Sequence, residues 1–63
     1  MVAYNVACAH ARGGRVDAGL DWLSRAVDLG FTDRALLDGD PDLARARADP
    51  RFAMIRNRLP TGP

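Results

Sequence analysis

The chain has 63 residues and a mass of 6.8 kDa, is 48% hydrophobic and carries a formal charge of +1. That length excludes a multidomain enzyme, and because Ala supplies 11 of the 30 residues counted as hydrophobic, only 19 larger apolar side chains remain for a core. Domains this small bury only about 60% of their unfolded surface, and a lone Cys8 with no Cys/His cluster offers neither an internal disulfide nor a structural zinc site, so the expected support is more protein.

Met1 to Arg12 reads as helix. At 100° per residue, Ala3, Val6, Ala7 and His10 gather on one side and Tyr4, Asn5, Cys8 and Arg12 on the opposite one. The first set is the expected packing side, and Ala3, Ala7 and Ala11 at spacings of four let another helix approach closely. No Ser, Thr, Asp or Asn stands ahead of this helix as an N-cap, so either its context continues upstream or its first turn frays. Gly13 and Gly14 supply the permissive backbone of a tight reversal.

Arg15 to Leu29 is the clearest helix. Val16, Leu20, Leu23 and Val27 form its apolar stripe, widened by Gly19, Trp22 and Ala26, opposite a solvated face of Asp17, Asp21, Ser24 and Asp28. Asp21 and Arg25 stand in the favourable order for an i,i+4 ion pair. Gly30 is placed to end the helix in a left-handed conformation, with Phe31 folding back over its last turn. Downstream, Asp40-Pro41 and Asp49-Pro50 each match an N-cap followed by proline at the first helical position. They predict helices over Pro41 to Ala48 and Pro50 to Leu59, with a further turn over Asp33 to Leu37 and a loose terminus from Pro60 to Pro63. The expected fold class is all-α.

With these elements in place, the chain resembles the tetratricopeptide repeat, a helix-turn-helix unit of about 34 residues that stacks into superhelices. The likeness rests on Tyr4-Asn5-x-Ala7-Cys8, on Trp22-Leu23-x-x-Ala26-Val27-x-x-Gly30-Phe31-x-Asp33, and on Asp40-Pro41-Asp42-Leu43 followed by Asp49-Pro50-Arg51-Phe52. Of the family's consensus letters only Ala26 is retained, and Phe31 replaces the usual terminal proline. The chain therefore looks more like the segment that closes such an array than like an internal repeat. The resemblance implies one hairpin over residues 1–30, a helical cap over 31–59, a flexible tail over 60–63, and a place at the carboxyl end of a longer bacterial protein. A last hairpin needs such a cap because stacking leaves one apolar side uncovered. Phe31, Leu36, Leu37, Leu43, Phe52, Ile55 and Leu59 are the residues that would shield it.

In the resembled family the side of the first helix bearing Tyr4, Asn5, Cys8 and Arg12 lines a concave peptide-holding groove. Asn5, with donor and acceptor on one short stem, could clamp a peptide backbone and Arg12 a carboxylate. The competing expectation is a solvated helix face.

Other chemistry is weakly signalled. Asp38, Asp40, Asp42 and Asp49 mimic a calcium loop, but Leu43 stands where glycine is needed and Pro41 restricts the turn, so capping is the expected role. Cys8 and His10 diverge by about 200° on a helix and cannot share a metal. No nucleophile, base and orienting group assemble, so neither catalysis nor a cofactor is expected. Residues 1–44 carry four Arg against seven Asp, −3, and residues 45–63 five Arg against one Asp, +4. Those tail arginines, Arg45, Arg47, Arg51, Arg56 and Arg58, suggest the alternative of a small nucleic-acid or anion-binding domain. No apolar run approaches a membrane span and no signal peptide is evident, which with a free thiol points to the cytoplasm. The reading is a non-catalytic protein-interaction or scaffold module. Its partners would be proteins or peptides, or a second copy paired through Ala3, Val6 and Ala7 of the uncapped first helix.

Overall fold

The computed structural model describes residues 2–60 and is all-α. α1 spans Val2–Arg12 and α2 Val16–Asp28; the C-terminal half contains α3 (Arg34–Gly39), a 3-10 turn (Pro41–Leu43), α4 (Ala44–Arg47) and α5 (Pro50–Arg56). Met1, the expected start of the first helix, lies outside the described residues, as do 61–63 of the expected loose terminus.

α1 and α2 form an antiparallel hairpin. Each ends in the same way, because each is followed by a glycine in the left-handed region: Gly14 at φ 84° and Gly30 at φ 105°. After α1, Arg15 N–H bonds His10 C=O at 2.8 Å and Gly14 N–H bonds Ala11 C=O at 3.1 Å. After α2, Phe31 N–H bonds Ala26 C=O at 2.9 Å and Gly30 N–H bonds Val27 C=O at 3.0 Å. This paired pattern satisfies carbonyls that a helix end otherwise leaves free. Between the helices Gly19 faces α1 so closely that a Cβ there would lie 3.2 Å from the Ala11 nitrogen and 3.3 Å from the Ala7 oxygen. Ala7 and Ala11 are fully buried in that contact. The small-residue ladder thus sets the separation of the two axes.

Aspartates begin the later helices. Asp33 accepts from Leu36 N–H, Asp40 from Asp42 N–H and Asp49 from Arg51 N–H. Pro41 and Pro50, each locked near helical φ, follow two of these caps. The expected helix over Pro41 to Ala48 is instead a 3-10 turn running into α4, and α5 stops at Arg56, three residues short of Leu59. Leu59 is nevertheless buried, carried inward by the turn after α5.

The core is one cluster: Ala3, Tyr4, Ala7, Cys8 and Ala11 of α1, Leu20, Leu23 and Ala26 of α2, and Phe31, Leu37, Leu43, Ala46, Phe52, Ile55 and Leu59. Six of the seven expected shielding residues are buried. Leu36 is the exception and is exposed, because α3 turns its neighbour Leu37 inward instead. The expected Asp21–Arg25 pair does not form among the described residues; Arg25 lies over the Trp22 ring, 4.9 Å from its centroid.

Candidate functional site

The ladder Ala3, Ala7, Ala11 faces α2, so the residues beside each alanine fall on opposite flanks of the hairpin. Tyr4, Cys8 and Arg12 turn toward residues 40–42. Tyr4 Oη donates to Asp40 Oδ2 at 2.6 Å, and its ring stacks on Phe31 with centroids 4.7 Å apart. Cys8 Sγ lies 3.8 Å from the same oxygen, and Arg12 Nη1 reaches Asp42 Oδ2 at 3.3 Å. The segment is braced from behind by Arg47, which donates to the carbonyls of Leu37 and Asp40 at 3.0 and 2.8 Å.

This geometry revises the expected groove. Tyr4 and Cys8 are buried under the chain's own C-terminal half, each 6% exposed, and line no open groove. Asn5 and Arg12 remain exposed, Arg12 engaged with Asp42. Val6 and His10, expected on the packing side, are only half-buried, and His10 Nδ1 accepts from Arg15 Nε at 2.9 Å. Periodicity separates the two flanks correctly; it cannot say which one the remaining chain covers. Of the trio expected to pair with a second copy, Ala3 and Ala7 are buried within the chain and Val6 is half-buried.

Electrostatically the covered flank is a set of donors around one carboxylate. The hydrogen bond from Tyr4 holds the Asp40 carboxyl below its ordinary range against the opposing effect of burial. Burial pushes the Tyr4 hydroxyl far up, and the bond to Asp40 adds to it. Burial likewise raises the Cys8 thiol, opposed by Tyr4 and reinforced by the charges of Asp40 and Asp42. Cys8 Sγ and one oxygen each of Asp40 and Asp42 lie within 4.8 Å of one another. Spacing could not reveal that cluster, because its members are joined only by the fold. The raised thiol stands as a donor toward Asp40 and is a weaker nucleophile for it.

Tyr4→Phe tests the clasp. Removing a donor to a partly buried carboxylate is expected to lower stability by about 1–2 kcal/mol at pH 7. Because the Asp40 pKa is depressed in the folded state, its contribution is full above the ordinary 3.8 and fades as pH falls through the lower folded value. Urea melts followed by Trp22 fluorescence should therefore show the wild-type advantage at pH 7 and its progressive shrinkage as the pH is lowered below 3.8; an advantage independent of pH would refute the ionic clasp.

The tail arginines are mostly engaged. Arg51 bridges Asp49 and Asp17, Arg58 donates to Ser24 and Asp28, Arg56 grips Asp38 with two bonds at 2.6 and 2.8 Å, and Arg47 is held by carbonyls. Hydrogen bonding from Arg51 draws the Asp49 pKa down to about 2. Residues 1–44, net −3, and residues 45–63, net +4, thus neutralise each other through these pairs. Asp38, Asp17, Ser24 and Asp28 lie 18 to 34 residues from the arginines they hold, so spacing could not assign those pairs.

Among known proteins, the chain is 36% identical over 52 residues to a chloroplastic protein of Arabidopsis thaliana, a stretch that is 82% of this chain and 16% of that relative. The chain therefore spans about a sixth of the relative's length. No family model matches the chain, and no solved structure does. Among the described residues no helix is long and apolar enough to cross a membrane.

Proposed function

We propose that the chain is a non-catalytic protein-interaction module: a tetratricopeptide-like hairpin of the end-of-array kind, sealed on one flank by its own C-terminal half and available for docking on the other. The observation that carries this reading is the asymmetry of cover. Tyr4, Cys8, Leu20 and Leu23 are buried beneath the cap, whereas Val6 and Trp22 are half-exposed and Val2 is 77% exposed. A hairpin closed on both sides would have no apolar surface left for a neighbour; one open on both would lack a core of its own. A role within a larger scaffold and a cytoplasmic setting belong to the same proposal, supported by the repeat-like sequence pattern and the unpaired thiol.

The alternative of nucleic-acid binding through the tail has less support, since Arg51, Arg56 and Arg58 would have to exchange intramolecular aspartates for phosphates. To test the interaction reading, a photoreactive phenylalanine analogue is placed at position 6 or at exposed position 53 and irradiated in cells. Protein adducts at position 6 with few at position 53 are expected. Equal yields at both sites would remove the basis for a docking flank.

A further inference from the structure

We infer that the open flank of the hairpin takes an amphipathic helix from a partner whose apolar stripe is bordered by carboxylates about three turns apart. The inference rests on the interaction reading above and specifies its ligand. On α1, Val2, Val6 and His10 lie about 160° around from Tyr4, Cys8 and Arg12, the residues turned toward the cap. On α2, Asp17 and Ser24, with Asp28, mark the cap side through their bonds to Arg51 and Arg58. Trp22 and Leu29 lie about 100–160° away from that set, beside Ala18. Val2, Val6, Ala18, Trp22 and Leu29 therefore share the uncovered flank, with Val2 and Leu29 largely exposed.

The rim of this apolar strip is cationic. Arg25 stands over Trp22 at one end, and Arg15, bonded to His10, stands at the other. Of the α2 carboxylates, Asp17 and Asp28 serve the cap arginines, and Asp21 lies about 100° from Trp22, on the far side of Arg25. Ten residues separate Arg15 from Arg25, about 15 Å along a helix. A docking helix meets both guanidiniums when its own carboxylates are ten or eleven residues apart on the borders of its stripe. Apolar contact would supply the binding energy, and the two charged ends would fix register and exclude basic helices.

Trp22 is the single tryptophan and sits on this flank, so its emission reports occupancy. Two synthetic 18-residue helices with the same apolar stripe are titrated into the full chain, one with Glu at the two border positions and one with Lys. The Glu peptide is expected to shift Trp22 emission to the blue and to bind about tenfold more tightly or better than the Lys peptide. Arg15→Glu with Arg25→Glu should reverse that preference, and Val6→Asp should abolish binding of both while the far-ultraviolet circular dichroism is unchanged. Equal affinity for the two peptides overturns the charge-specified ligand and leaves the interaction module standing. No binding to either, with adducts still forming at position 6 in cells, does the same. A Trp22 shift that grows with protein concentration without peptide assigns the flank to a second copy and also overturns the inference.

Discussion

Leu43→Ala is expected to bring the folded chain to the edge of unfolding. Leu43 is fully buried in the 3-10 turn that joins the C-terminal half to α1, so truncation leaves a void at the seam between hairpin and cap. Such substitutions cost about 2–5 kcal/mol, whereas a chain of this length has about 3–9 kcal/mol in total at typical per-residue stabilities. Since 1 kcal/mol shifts the midpoint of a small domain by about 4–8 °C, a thermal melt should fall by about 10 °C or more. Met54→Ala, on the same segment but 71% exposed, is the control and should move the midpoint by no more than a few degrees. If the two variants melt alike, the cap is not part of the core.

The second large effect is expected at Gly19. A single methyl there would press on the Ala11 backbone and Cβ and on the Ala7 carbonyl at 3.2–3.3 Å, tight enough that α1 must yield by a few tenths of an ångström. Gly19→Ala sets that strain against a gain of up to about 1 kcal/mol in helix propensity, so its net effect should be small. Gly19→Val has no such compensation: two further methyl groups enter a backbone-lined contact and β-branching lowers helix propensity, for a loss of about 1–3 kcal/mol. Chemical denaturation of the pair reads the contact directly. A valine as well tolerated as alanine would mean that α1 and α2 are not in close contact at Gly19.

Much of the architecture was legible because its determinants are local. Two glycine positions with left-handed backbones end α1 and α2, and two aspartates ahead of proline, Asp40 and Asp49, cap later helices. Those signals act within one turn of chain, so reading them requires no knowledge of the rest of the molecule. The boundaries that were misread, the 3-10 turn at Pro41–Leu43 and the early end of α5, lie where a short element bends to deliver Leu43 or Leu59 to the core. There tertiary burial outweighs helix propensity.

The candidate site was legible only as a division into flanks. Periodicity set Tyr4, Cys8 and Arg12 on the far side of α1 from Val6, yet Tyr4 and Cys8 proved buried and Val6 half-open. What decided the matter was the return of residues 40–42 from more than 30 positions away, bringing Asp40 to Tyr4 and Asp42 to Arg12.

By itself, then, the order of amino acids determined where this chain turns and which stretches coil, since both depend on neighbours within about four residues. Only the tertiary structure decided which flank of the hairpin is sealed, which aspartate each tail arginine holds and where apolar surface remains. These depend on long-range closure, in which burial of Leu43, Phe52, Ile55 and Leu59 selects one docking of the C-terminal half over others that the same local signals allow.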